Sequence, residues 1–422
     1  MTANAKRLIR LLSFVFESQR DGLSTKKYME EIIDYIKTWL LYGQADAAQQ
    51  IGYTDDEREW PKYRLVIVPN GHLGKDIVLP DLDAPLVENW SPDNNEQNVT
   101  YVIRTDLIYN TFFFISRAEE LINDKRDEHG RFLAAYSILG KRNRLMMPLL
   151  DEYARLLIKV MGLELPHDGF AHIYLTHDID TIAQYRHPRG VLGGVWRGEW
   201  RQVLASLRDI HNDPAYTFPW LVEQDKKVPL AESIFFVKHS YGKGYDYPQY
   251  NHHSPDAHHL RKFLEWNRVT IGWHSSYYGP GSIERRTSRT NELAIHRSHY
   301  LNCSIATMRK LIELGVTDDF TMGFPDRAGF RLQTSRSVLW IDPERMQLTE
   351  LVLHPLIIMD CTLSNSNYMG LDQEEATYLC QQLIDKVHMH NGDLCLLWHN
   401  HIFTPGSYHK QLYSELVRYI QD

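Results

Sequence analysis

From about residue 170 the chain repeats one pattern, a short apolar run that ends in a polar, chemically capable residue. IYL runs into Thr176, His177, Asp178, Ile179 and Asp180, and SIFFV into Lys238 and His239. VTIGW runs into His274 and Ser275, and DFTMGF into Pro325 and Asp326. LVLHPLIIM runs into Asp360, and LCLLW into His399 and Asn400. Runs of this length, separated mostly by helical or loop segments, predict repeated strand–helix units and a largely parallel sheet. In a closed parallel barrel the functional residues gather at the C-terminal ends of the strands. Six strands that end this way aim their polar groups at one common mouth.

The 422 residues exceed what one ordinary core holds. Two domains are expected, with the boundary at Pro166: residues 1–166 form a smaller mixed α/β domain, and residues 167–422 the repeated strand–helix region. In the first, Tyr28, Ile32, Ile36 and Leu40 make a helical stripe closed by Gly43. Tyr63 to Pro69 and Val99 to Ile103 read as strands, with a polar loop between them, and LLDEYARLLIKVMG as a helix that ends at Gly162. Near the start, Leu8, Leu11, Leu12 and Val15 share a helical face, interrupted for any signal sequence by Arg10. No run of 18 apolar residues occurs, so no membrane span is expected, and the expected compartment is the cytoplasm. Cys303, Cys361, Cys380 and Cys395 contain no Cys-x-x-Cys pair and fit buried thiols in a reducing compartment. A formal charge of −8 argues against general nucleic-acid binding. Oligomeric state is not legible at this level.

Asp178 and Asp180 stand one residue apart. At a strand end, positions i and i+2 point to the same side, so one carboxylate can hold a metal while the other acts as a base. An Asp-x-Asp pair alone is more often a solvated loop or a helix cap. His274 and His399, arriving from other strands, supply neutral imidazoles. A cation held by carboxylate and imidazole with open positions suits metal-assisted hydrolysis.

THDID, IGWHSS and LLWH together resemble the polysaccharide deacetylase superfamily, over about residues 170 to 405. The resemblance implies a distorted (β/α) barrel and a divalent metal, with zinc the expected ion. It implies Asp178 as catalytic base, Asp180 and His274 as metal ligands, and His399 as proton donor to the leaving group. Arg331 in GFPDRAGFR matches the arginine that orients the base, with Asp326 bracing the site. The family's second motif has another histidine where this chain has Tyr278. IHRSHYL is similar to a bacterial subgroup and offers His299 as the replacement ligand. His296, three residues away or nearly one helical turn, is the alternative. The N-terminal region, including FFFISRAEELINDKRDEHGRF, also resembles that subgroup's N-terminal portion.

The function so implied is removal of an N-acetyl group from an amino-sugar-containing carbohydrate. Two alternatives are an amidohydrolase for a non-sugar amide and a decayed carbohydrate-binding or scaffold protein. Trp220, Trp273 and Trp398 are candidate sugar platforms or core residues. Arg117, Glu119, Asp127, Glu128, His129 and Arg131 read as a solvated, salt-bridged turn or as a contribution to the cleft. Arg186 to Gly190 could reach substrate or cap a helix, and His252, His253, His258 and His259 read as an exposed loop. Dinucleotide, P-loop, zincin and nucleophile-elbow motifs are absent from the sequence.

Overall fold

The structure is a computed structural model that describes residues 22–92, 99–238, 244–246, 250, 253–280, 293–403 and 406–421. Leu8, Leu11, Leu12, Val15, His239 and His252 lie outside these residues. The chain forms two compact units. The smaller comprises Met1–Ile122, Tyr153–Leu165 and Leu339–Glu350. The larger comprises Asn123–Glu152, Pro166–Val338 and Leu351–Asp422.

In the smaller unit, α1 (Gly22–Leu40) buries Ile32, Ile36 and Leu40, while Tyr28 at the far end of that stripe is exposed. The helix closes when Gly43 takes a φ of 83°, which a Cβ would penalise, and donates its N–H to the Thr38 carbonyl. The sheet runs β1 (Ile51–Tyr53), β2 (Leu65–Ile67), β4 (Thr100–Ile103), β3 (Val87–Trp90), with β3 the one antiparallel member. The polar stretch expected as loop therefore carries an edge strand. Val87-Glu88-Asn89-Trp90 has no continuous apolar run because neither of its faces is fully buried. Helix α2 (Leu107–Ile115) is capped by Asp106, whose carboxylate accepts from the Tyr109 N–H at 2.8 Å. Helix α3 (Leu149–Val160) matches the expected helical pattern, with Gly162 at positive φ just beyond it.

The larger unit is built on a parallel sheet. Its strands are β5 (His172–Ile179), β6 (Ala231–Lys238), β7 (Thr270–Ser275), β8 (Ile295–Ser298) and β9 (Asp318–Met322). Beyond β10 (Val338–Asp342), which apart from Val338 falls in the smaller unit, come β11 (Gln347–Pro355), β12 (Ile358–Met359) and β13 (Asp393–Leu397). The order is β11-β9-β8-β7-β6-β5-β13-β12, parallel at every step. All six apolar runs lie in strands. β8 was not foreseen: His296, Arg297 and Ser298 give it no apolar pattern, because its buried side chains are satisfied by ion pairs.

No closed barrel forms among the described residues. The ladder is open between β11 and β12, yet these are two halves of one run of chain, 347–359, that pairs with β9 first and β13 afterwards. At the break, the Leu356 N–H donates to the Met322 carbonyl and the Ile357 N–H to the Cys395 carbonyl. Both faces of the sheet are buried, as parallel sheets require. Leu175, Phe235, Leu394 and Leu396 pack with helical residues such as Leu383 and Leu416. Tyr174, Ile234, Phe236, Phe320, Cys395 and Leu397 form a second core on the opposite face.

Candidate metal centre

The register brings Lys238, His274 and Arg297 side by side on β6, β7 and β8. Asp178 aligns with Phe236, and Asp180 follows just past the end of β5. The polar residues that end several apolar runs thus meet on one face. Arg297, fully buried, runs back along that face over the Phe236 ring, its guanidinium carbon 4.4 Å from the centroid. It donates to Thr176 Oγ1 at 2.7 Å, to Asp178 Oδ1 at 3.0 Å and to the Phe320 carbonyl at 3.0 Å. Room for this stack comes from Gly272, where a Cβ would stand 2.7 Å from the Phe236 ring.

Asp180 Oδ1 lies 3.1 Å from His299 Nε2 and 3.5 Å from His274 Nε2. Those three atoms lie within 4.8 Å of one another. Ligands about 2.0–2.1 Å from a tetrahedral ion stand roughly 3.3–3.5 Å apart, so the spacing fits a divalent cation. His274 Nε2 is buried without a hydrogen-bond partner among the described residues, its distances to Asp180 and Asp178, 3.5 and 3.7 Å, being those of neighbours and not of bonds. Its other nitrogen, Nδ1, is 3.0 Å from the Arg297 carbonyl, which leaves Nε2 as the lone-pair bearer aimed at the acids. Burial holds the His274 pKa down, keeping the ring neutral. His299 Nδ1 lies 3.0 Å from the buried Asp246 carboxylate, an outer partner of the type that orients ligand histidines. Burial opposes the charge on His299, but Asp180 and Asp246 outweigh it and raise its pKa.

Lys238 adds a cation here. Its Nζ is 2.8 Å from Asp180 Oδ1. Burial would raise the Asp180 pKa, yet Lys238 and His299 hold it well below the usual carboxylate range.

On the other side of Asp180, His399 Nε2 is 3.7 Å from Asp180 Oδ2. His399 Nδ1 is 2.8 Å from Asp360 Oδ1, and its own backbone N–H donates to Asp360 Oδ2 at 2.6 Å. Burial disfavours the imidazolium, but Asp360 outweighs it and raises the pKa well above that of free histidine, while Asp360 itself falls to about 2. Asp360, Cys361 and His399 also form a group with metal-ligand spacing. There, however, Nδ1 is engaged by Asp360, and burial raises the Cys361 thiol pKa.

These groups open into a cavity of about 390 Å³. Asp178, Asp180, Lys238, His299 and His399 line it, together with Arg131, Tyr245, Tyr300 and Tyr368. Arg131 is not in a solvated turn. It is buried, pairs with Asp127 at 2.7 Å, donates to the Tyr368 hydroxyl at 2.8 Å and stacks near Tyr300. Tyr300 adopts φ 60° and Leu301 φ 55°, conformations costly for bulky side chains, so the turn directly after His299 is sharp and strained.

The structure brings together Asp178, Asp180, His274, His299 and His399. His296 points to the other face of β8, where it contacts Asp319 at 2.7 Å and Ser275 at 2.9 Å. The two histidines thus sit on a strand and the turn after it, not on one helical turn. Arg331 donates to the Gly323 carbonyl and lies over Phe324, and Asp326 accepts from the Ala134 and Ala135 N–H groups. Neither lines the cavity. The guanidinium on Asp178 is that of Arg297, and nothing local in HRSH marks it, since its partner is 119 positions away. Asp360, Asp246 and Lys238 were likewise unassigned, although Asp360 and Lys238 do end apolar runs.

Tyr278 is exposed, whereas Trp273 and Trp398 are fully buried. Trp220 is half-buried against Phe403. His187 caps a helix by accepting from the Gly190 N–H, and Arg186 pairs with Asp256 at 2.8 Å. Arg117 and Glu120 form a buried pair at 2.8 Å. All four cysteines are free. No helix among the described residues is long and apolar enough to cross a membrane.

Residues 24–166 match a family described as a family of unknown function, DUF7033. No curated protein matches the chain. Among solved structures, the chain is similar to a "putative polysaccharide deacetylase" from Mycobacterium smegmatis, at 14% identity and a TM-score of 0.38, over 60% of this chain and 86% of that one.

Proposed function

We propose that the protein is a metal-dependent hydrolase that removes an N-acetyl group from an amino-sugar-containing carbohydrate, in a distorted barrel of the polysaccharide deacetylase type. The observation that carries this reading is the juxtaposition around Asp180: two imidazole nitrogens at ligand spacing, a guanidinium-held carboxylate on one side and an acid-backed imidazole on the other. Asp180, His274 and His299 would hold the ion. A divalent ion there, zinc being the first candidate, supplies a polarised acetyl carbonyl and a water of lowered pKa. Asp178, held and oriented by the Arg297 guanidinium, takes the proton of the attacking water. His399, kept protonated by Asp360, delivers a proton to the departing amine. The products are acetate and a free amine. Arg331, expected beside Asp178, acts at most at a distance in this scheme, through the loop at Gly323.

One observation favours the decayed alternative: the Lys238 ammonium on Asp180 Oδ1 is a cation the chain supplies itself. Metal analysis combined with acetate release separates the two. The hydrolase reading expects one divalent ion per chain and acetate from N-acetylglucosamine oligomers, with acetamides lacking a sugar turned over at least tenfold more slowly. A chain that takes up no ion and releases no acetate belongs to the decayed reading. Equal turnover of sugar and non-sugar amides would move the substrate to the broader amide class.

A further inference from the structure

We propose that the helical hairpin at residues 186–208 docks on an anionic lipid surface. This stands on no feature of the metal centre. The hairpin consists of α4 (Pro188–Trp196) and α5 (Trp200–Arg208). Its inner side is well built. Gly194 lets the helices meet, since a Cβ there would stand 2.6 Å from Val203, and Ser206 donates to the buried Asp213, which also accepts from the Gln184 and Tyr185 N–H groups.

The outer side is apolar and uncovered. Leu192, Val195 and Trp196 on α4, and Trp200, Leu204 and Leu207 on α5, recur at helical spacing and are all exposed, Trp196 by 89% and Leu192 by 71%. Large apolar side chains gathered this way mark an interaction face.

Charge selects the partner. Residues 186–208 carry five arginines and one carboxylate, Glu199, a net of +4 in a chain of formal charge −8. Glu199 is itself occupied by Arg197 and the Tyr185 hydroxyl. Arg189, Arg201 and Arg208 are exposed around the apolar stripe, and the Arg201 guanidinium lies over the Trp200 ring. Tryptophan beside arginine on an amphipathic helix is the composition that lies in the headgroup layer of anionic membranes. A second copy of this chain fits less well, because a twofold contact would set the same arginines against each other.

The test is co-sedimentation of the full chain with vesicles of phosphatidylglycerol and phosphatidylcholine, against phosphatidylcholine alone. Wild type is expected to bind the anionic vesicles selectively and to be released by salt. Arg201→Gln and Arg208→Gln should each weaken binding about fivefold, and Trp196→Ser with Trp200→Ser should abolish it, with thermal melting unchanged in all of them. Equal binding to both vesicle types, no binding, or variants that bind like wild type would overturn the proposal. So would a concentration-dependent dimer that the tryptophan variant disperses while vesicles stay unbound, which would assign the face to a second copy.

Discussion

At the scale of single residues, the account divides two carboxylates one position apart by what surrounds them. Asp178 meets a guanidinium, and Asp180 meets two imidazoles. Asp178→Asn keeps shape and removes the proton acceptor, so the ion should stay bound while turnover falls at least about 100-fold. Acetate release measured beside metal content checks this, and retained turnover would remove Asp178 from the role. His296 and His299 separate as cleanly. His299→Ala should weaken zinc binding by more than the roughly 10–100-fold that loss of an outer partner costs. His296→Ala should leave zinc affinity intact and instead lower stability by about 1–3 kcal/mol, because Asp319 and Ser275 would each lose a buried hydrogen-bond partner. Zinc titration and denaturant unfolding of the two variants read the difference. Asp178, Asp180, His274, His299 and His399 were legible because each follows an apolar run or belongs to a short motif. Arg297 was not, because what ties it to Asp178 is a 3.0 Å contact with β5 that no local pattern encodes.

At the scale of elements, strand ends explain both ends of the sheet. At the C-terminal ends stand the candidate ligands; at the opposite end Asp393, at the start of β13, ties its neighbours together. Its carboxylate contacts His172 Nδ1 at 2.9 Å and accepts from the Ser337 N–H at 2.8 Å and from the Ser337 hydroxyl. Burial would raise the Asp393 pKa, but these bonds outweigh it and lower it, while the bond to Asp393 raises that of the exposed His172. A lowered carboxylate contributes stability above its unfolded pKa near 4 that is lost as pH falls through the folded value. A raised histidine contributes stability below its unfolded pKa near 6.5 that is lost as pH rises through the folded value. The pair is therefore strongest between about pH 4 and 6.5. Asp393→Asn should cost about 1.5–3 kcal/mol at pH 6 and flatten the acid side of a melting-temperature profile. An unchanged profile would show that Asp393 bears no such load. The strands most readily foreseen were the apolar ones. β3 and β8 were missed for opposite reasons, β3 because it is half exposed and β8 because it buries charge that other strands neutralise.

At the scale of the whole molecule, strand–helix alternation announced a parallel α/β unit, and the sheet order bears that out, while closure into a barrel was not met. The run 347–359 explains why closure could not be read in advance: one apolar stretch serves two edges, and although Pro355 ends β11, nothing in Leu356-Ile357-Ile358-Met359 tells that the chain passes to the β13 edge. The path of the chain between units was equally hidden. Residues 123–152 group with the larger unit because Asp326 and Gln333 hold them there, contacts some 190 positions apart in sequence. Through that segment Arg131 reaches the cavity that Asp178 and His399 also line. The central claim concerns the group formed by Asp180, His274 and His299. Anomalous diffraction from crystals grown with zinc tests it most directly. The account expects one peak per chain, about 2.0–2.2 Å from Asp180, His274 and His299, with Lys238 moved off the Asp180 oxygen. Lys238 still bonded to Asp180, with no peak among those three side chains, would contradict it.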